Sequence, residues 1–443
     1  MPIQLPTINE SQWYISTFKV AKAKGNSLSS GDDYCNSMKA KKSILRNKKV
    51  GVIGFNARPL ACSVKRSGGL AFVSDYWGDS DLDECSREWV SVLSSVPGSR
   101  QRGTLEDPLH ISLSDNFQHT YADQELDYVL IGSGFDDHST SLDQIENKYG
   151  ITGNSPLLMQ IARNRDRLSD LATNNEINYP RYRQVQTRDE AIEAAKENGF
   201  PCVIRPTASG GGTGIRKISG FKQLDSFYDR LLETDRLGPR IVQDYVLGLD
   251  VSASVLCTGT DAYCLSIQEQ LIGLPSAGRH SDFVYCGNRI PANLEERILK
   301  KIRRVSEQIS ASLGLKGSIG IDYVVSHNGE LWLLEVNPRF QGSLEMLERS
   351  ANISVSELHI LACNGELPQK VPEYTPTTKM IVYANRDGTV PDLSTYSGTV
   401  DRSPTGVEVH KGDPVCSIIE SGMNSDEVYK RVESIALKIQ DTL

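Results

Sequence analysis

No stretch of this 443-residue chain is apolar for long enough to cross a membrane. Its longest apolar runs, such as Tyr128 to Ile131 and Leu331 to Val336, are strand-sized, against the ~20 residues a spanning helix needs. Positive charge is scarce as well: the net charge is -8, which argues against a surface built to neutralise nucleic-acid phosphates. The nine cysteines form no CxxC pair and no Cys/His cluster at zinc spacing, so no redox motif or zinc site is written here. Several sit in apolar runs, as Cys202 does between Pro201 and Val203, and buried thiols in a reducing cytoplasm are expected. Gly54 to Arg58 lacks the second glycine of GxGxxG, and no GxxxxGK[ST] loop occurs. Residues 1–30 contain no arginine and no continuous apolar core, so no targeting signal is expected there. No Ser/His/Asp or Cys/His constellation stands out, and His280 and His327 read as turn or surface histidines.

What is present is an ordinary globular balance, 39% hydrophobic and 23% charged. Residues 1–49 hold nine Lys/Arg against three Asp/Glu, and residues 25–37 are rich in helix breakers and small polar groups. Residues 1–47 are therefore expected to be a disordered extension. Met38, just ahead of the first strand, is a second conceivable translation start. From residue 48 to 155, strands at Lys49–Phe55, Leu70–Ser74 and Asp127–Ile131 alternate with helix-like segments, the pattern of a parallel, Rossmann-like sheet. Arg58, at the start of the first helix, is either part of a plain structural turn or a contact for a substrate anion.

Two segments carry chemistry. Ile204 to Ile215 contains the run Gly210, Gly211, Gly212 and then Gly214 between two strand-like stretches, so it reads as a hairpin tip. Glycines there let backbone N–H groups converge on phosphate oxygens. Downstream, Asp322 to Arg339 reads as a second β-hairpin turning at His327 to Glu330. Such a hairpin brings Asp322 opposite the far strand, where Glu335 and Asn337, two apart, share a face. Three oxygen donors then meet at one spot, the arrangement magnesium takes when phosphate and water complete its shell. The metal-free alternative is a salt bridge from Glu335 to Arg339, and the glycine hairpin upstream favours the metal. Gln268, Glu269 and Gln270 either face a cleft or simply alternate on a half-exposed strand.

The order of glycine-rich hairpin, then Gln243, Asp244, Tyr245, Val246, then Asp322 and Leu334-Glu335-Val336-Asn337-Pro338-Arg339, resembles the ATP-grasp superfamily from about Pro156 to Asn364. That family includes D-alanine–D-alanine ligase, biotin carboxylase and the large chain of carbamoyl phosphate synthetase. The resemblance implies an α/β fold with α+β lobes. A Rossmann-like domain (48–155) would be followed by a bipartite ATP-grasp domain (156–365, lobes about 156–240 and 241–365) and a C-terminal lobe (366–443). It makes Asp322, Glu335 and Asn337 ligands of Mg2+, with Mn2+ an admissible substitute, and Arg339 the catalytic arginine. Arg205, Gly210, Gly211 and Gly212 would hold the ATP phosphates, Gln243 to Val246 the adenine and Asp250 the ribose. The chain departs from the family pattern where it has Arg205 in place of a lysine before the glycine loop, and Arg163, Arg165 and Arg167 where a second lysine is usual. The implied activity is a cytoplasmic, ADP-forming ligase that activates a carboxylate as an acylphosphate and joins it to an amine. Its partners would be those two small molecules, with no nucleic acid or membrane, and a homo-oligomer is left open. The rival readings are a carboxylase or phosphoryl transferase on the same fold, or an ATP-binding module without catalysis.

Overall fold

The computed structural model describes residues 43–93, 108–208, 210–233, 238–278 and 281–443. Residues 1–42, with most of the expected extension, Met38 and Cys35, lie outside them, as does His280. Order is present by Ser43: residues 43–46 form a turn and Leu45 is fully buried.

The first sheet is built from β1 (Lys49–Gly54), β2 (Leu70–Asp75), β3 (Glu88–Ser91) and β4 (Tyr128–Ile131), in the order β3-β2-β1-β4. Every pairing in it is parallel. Its central strands are buried on both faces, which is why they read as continuous apolar runs. Helices α1 (Arg58–Arg66) and α2 (Leu109–Thr120) are the crossovers, and α1 starts with Pro59 in its first turn, where a missing N–H costs nothing. Cys62 of α1 and Cys85 of the loop after β2 are joined by a disulfide, with Cα atoms 4.5 Å apart. This corrects the expectation of free thiols: the loop after β2 returns along α1, a proximity that scattered spacing does not reveal. Cys202, Cys257, Cys264, Cys286 and Cys416 are buried thiols as expected.

Helices α3 (Asp143–Tyr149), α4 (Pro156–Arg163) and α5 (Arg165–Asn174) lead into a small lobe. Ser155 and Asn164 cap α4 and α5 by accepting from the N–H of Leu158 and Arg167. The lobe comprises β5 (Tyr182–Val185), α6 (Arg188–Asn198), β6 (Cys202–Pro206), β7 (Arg216–Ile218), α7 (Phe221–Glu233) and β8 (Arg240–Asp244). Its antiparallel sheet has the order β5-β8-β6-β7, so the glycine run is the tip of the β6–β7 hairpin.

The remainder is organised on one large sheet. It contains β9 (Gly248–Thr258), β10 (Ala262–Ile272), β11 (Tyr285–Ile290), β12 (Lys316–Ser326), β13 (Leu331–Asn337) and β14 (Thr377–Tyr383). After the short pair β15 (Gly388–Thr389) and β17 (Glu408–Val409), with β16 (Thr399–Val400) between them in sequence, comes β18 (Pro414–Ser421). The order β13-β12-β9-β10-β11-β14-β18-β16 makes β14 and β18 a direct continuation of the β9–β13 strands. Helix α8 (Glu296–Ser312) packs Ile298, Ile302, Val305 and Ile309, one helical stripe, against Val251, Val255, Ile319 and Tyr323. The opposite sheet face meets α9 (Leu344–Ala351) and α10 (Val355–Cys363), and this core also includes Val50, Leu60 and Val73 of the first sheet's layer. The chain ends in α11 (Ser425–Thr442), capped by Asn424. The result is an α/β protein with α+β lobes.

Candidate functional site

The β12–β13 hairpin places Asp322 directly opposite Glu335. Asn337 follows on the same face, its Nδ2 2.9 Å from Asp322 Oδ2 and 3.4 Å from Glu335 Oε1. Gln270 of β10 donates to the other Asp322 oxygen at 3.1 Å, so it does face this site. The two carboxylates cannot ionise independently. Burial and the neighbouring Glu335 charge raise the pKa of Asp322. Burial opposes ionisation of Glu335 too, but the guanidiniums of Arg163, Arg205 and Arg339 outweigh it and hold its pKa down. Among the described residues no group of three or more His, Cys, Asp or Glu is disposed to hold a metal. Asn337 Oδ1 accepts from Arg163 at 3.3 Å, so the two carboxylates make a partial shell that the amide oxygen joins only when the amide turns over. That suits magnesium, which keeps several ligand positions for phosphate and water.

A ring of arginines surrounds Glu335. Arg163, at the end of α4, reaches Glu335 Oε2 at 3.2 Å and also holds Asp137 at 3.0 Å. Arg205, on β6 below the glycine loop, lies 3.9 Å from the same Glu335 oxygen. Arg165 belongs to this cluster, lining a small cavity with Arg163, Tyr179 and Glu335. Arg163, Arg165 and Arg205 therefore converge in space from three separate elements, while Arg167 points elsewhere and donates to Ser312 O at 3.4 Å. Arg339 does not pair with Glu335, the metal-free alternative considered above. It is gripped instead by both oxygens of Asp136 at 3.0–3.2 Å, with each side chain only 15% exposed. Asp136 and Asp137 went unnoticed in the sequence. Their signal was available: two acids just past the glycine-rich carboxyl end of a strand in a parallel sheet, where such folds place ligand-binding groups.

The tip of the glycine hairpin rests on the segment that leads into β11. Gly211 and Gly212 have φ of +59° and +80°. A Cβ on Gly212 would stand 1.7 Å from the carbonyl oxygen of Phe283, so only glycine permits this approach. Gly211 O accepts from the N–H of Tyr285 at 3.2 Å, tying the tip to the start of β11, while Gly210 is exposed and open. Gln243 pairs with Val203 in the sheet below the hairpin. Asp244 is engaged by Arg181, whose Nε donates to its carboxylate at 2.9 Å and whose carbonyl accepts its backbone N–H at 3.0 Å. Tyr245 lies under Lys217 of β7, with Nζ 4.1 Å from the ring centre. Val246 leads into β9. There Asp250 has the same facing as Ser252, the register partner of Asp322, and burial raises its pKa to about 6. Arg58 is not a ligand contact: it is 2% exposed and bound to Asp81, Glu345 and Asp401. Gln268 is equally buried, satisfied by Ser252, Ser254 and Ser266.

Residues 166–343 match the ATP-grasp domain family. An uncharacterized protein of Methanocaldococcus jannaschii is 24% identical over 374 residues, 84% of this chain and 88% of that protein. The carbamoyl phosphate synthase large chain of Campylobacter jejuni is 24% identical over 209 residues, 47% of this chain. The present chain spans only 19% of that relative's length. Among solved structures, an N5-carboxyaminoimidazole ribonucleotide synthetase in complex with ADP superposes with a TM-score of 0.65 at 16% identity, covering 90% of this chain and 100% of that one. The biotin carboxylase domain of Hydrogenobacter thermophilus 2-oxoglutarate carboxylase gives 0.66 at 14% identity, covering 88% and 89%.

Proposed function

Because the chain belongs to the ATP-grasp superfamily, we propose that it is an ADP-forming ligase that activates a carboxylate with ATP and joins it to an amine. The observation that carries this reading is the 3.9 Å approach of Arg205, at the base of the glycine hairpin, to Glu335 of the acidic hairpin. It draws the phosphate-type loop and the metal-type donors to one cleft. Asp322, Glu335 and Asn337 would hold magnesium, which when bound supplies charge neutralisation of the β- and γ-phosphates. Arg163 and Arg205 are within reach of the same phosphates once Glu335 turns to the metal. The Gly210–Gly212 tip would cover them and exclude water. Gln243 to Val246 would frame the adenine and Asp250 the ribose.

In the reaction, a substrate carboxylate oxygen takes the terminal phosphoryl group and ADP leaves. The amine then attacks the acyl carbon, phosphate departs, and the amine nitrogen gives up a proton. Arg339 is placed to bind the anionic reactant, and Asp136, which now occupies its fork, would yield to that anion. A cytoplasmic setting, where ATP is available, fits this reading. The test is ADP release with Mg-ATP across a panel of carboxylates and amines, with bicarbonate as a separate arm. Release that requires both a carboxylate and an amine, with an amide product, is expected. Release with bicarbonate alone would favour the carboxylase reading, and ATP binding without any release would favour a non-catalytic module.

A further inference from the structure

The two sulfurs of the Cys62–Cys85 disulfide stand in different surroundings. Cys62 lies on α1 and is only 6% exposed. Cys85 lies in the loop after β2 and is half-buried, next to the exposed Glu84. Approach from solvent is therefore open at one sulfur and shut at the other. The shut side has a directed donor. Arg58 gives Nε to Asp401 at 2.7 Å and Nη2 to Glu345, while its Nη1 donates to Cys62 Sγ at 3.3 Å. Asp81, Glu345 and Asp401 share this guanidinium, so it is the aimed N–H rather than net charge that favours negative charge on Cys62 Sγ. The loop does not depend on the bond for its place. Lys65 of α1 donates to Glu84 O at 2.7 Å, Arg402 pairs with the Glu84 carboxylate at 2.6 Å, and Asp81 accepts the N–H groups of Asp401 and Arg402. With the two Cα atoms 4.5 Å apart, an opened pair stays within closing distance.

We propose that Cys85 is a site of reversible thiolation by a small thiol, with Cys62 as the leaving and then the resolving sulfur. The inference is independent of the ligase reading. A thiolate of the small molecule attacks Cys85 Sγ along the S–S axis and forms the new S–S bond. The electron pair of the broken bond goes to Cys62 Sγ, which leaves as a thiolate beside Arg58 Nη1. One disulfide replaces another, so no outside oxidant or reductant is needed. In the reverse step the Cys62 thiolate attacks Cys85 Sγ, expels the small thiolate and restores the original bond. A second small thiolate that attacks the small-molecule sulfur of the mixed disulfide instead releases Cys85 as a thiolate and leaves as a small-molecule disulfide, so the pair follows the ratio of thiol to disulfide around it. Arg58 also joins α1 to Glu345 of α9 and to Asp401, just past β16, so the exchange takes place where three parts of the chain meet.

The test starts from peptide mapping of the full-length protein without reductant, which should find Cys62 linked to Cys85. The native protein is then incubated with reduced glutathione, quenched in acid and digested with pepsin, and the thiolated peptides are identified by mass spectrometry. Glutathione is expected on Cys85 at least about 10-fold more often than on Cys62, which should appear as the free thiol. The single variants, which cannot reclose, are read with glutathione disulfide. Cys62→Ser should be thiolated at Cys85, whereas Cys85→Ser should keep Cys62 as a thiol until urea unfolds it. The choice of sulfur is read on the wild type alone and stands even if a variant misfolds. Absence of the Cys62–Cys85 link, thiolation of the native protein at Cys62, or no thiolation of the native protein at Cys85 would overturn the inference.

Discussion

Replacing Arg58 by methionine removes the cation on which three buried carboxylates depend, and its cost can be bounded from their remaining partners. Asp401 keeps Lys379, Glu345 keeps Arg349, and Asp81 keeps two backbone N–H groups. The loss is therefore that of one broken buried network, about 3–5 kcal/mol, rather than three separate penalties. At roughly 2 °C per kcal/mol for a chain of this size, the melting temperature should fall by about 6–10 °C. The pH dependence follows from Glu345, whose pKa, despite burial, is held down to about 2 by Arg58 and Arg349. A depressed carboxylate pKa means that its stabilisation is fully present above the unfolded value near 4.5 and is lost as pH falls toward 2. In Arg58→Met the same carboxylates lose that support and take up protons more readily. The gap between wild type and variant should then be widest near pH 7 and narrow toward pH 4. Thermal melts and urea titrations at both pH values measure it. A loss below about 1 kcal/mol at pH 7, or a gap that widens on acidification, would refute the reasoning. Unchanged stability with abolished substrate binding would return Arg58 to the role of an anion contact.

Two further outcomes are expected. Gly212→Ala puts a Cβ against Phe283 O at a φ of +80°, so the loop must lift; ATP affinity should drop about 10-fold or more while the melting temperature moves little, since the tip is only half-buried. Burial lowers the pKa of His359 to about 4, with its ring nitrogens facing Ser318 N–H and Thr152 O. Its folded pKa lies below the unfolded value near 6.5. Stability is thus complete above pH 6.5 and declines as pH falls toward 4, by roughly 3 kcal/mol in all, and His359→Gln should flatten that slope in urea titrations between pH 7 and 5.

The parts of the site that were legible in the sequence are those whose partners are near in the chain. Asp322 and Glu335 are thirteen residues apart around one tight turn, and strand alternation alone fixes Asn337 beside them. The β6–β7 hairpin is equally local. Asp136 meets Arg339 across 203 residues and Arg163 meets Asn337 across 174, and no periodicity encodes such pairings. Helices α9 and α10 escaped notice for another reason. Helix α10 is buried on most sides and lacks the polar stripe that marks an amphipathic helix, whereas α9 is only eight residues long and its polar Glu345 and Glu348 are buried against Arg58 and Arg66. Arg58 was left open between a structural role and an anion contact because Glu345 and Asp401, which decide it, lie more than 280 residues away in the chain. The continuity of β14 and β18 with the large sheet is a register fact, invisible until strands are paired.

Calorimetric titration of ATP, with and without Mg2+, into the wild type and Glu335→Gln tests the shared cleft most directly. Wild type should bind at least about 10-fold more tightly with magnesium. The variant should lose that preference yet retain metal-free ATP binding, because Arg163 and Arg205 are released from their carboxylate. No nucleotide affinity in the wild type, or a magnesium preference that survives the substitution, would contradict the account.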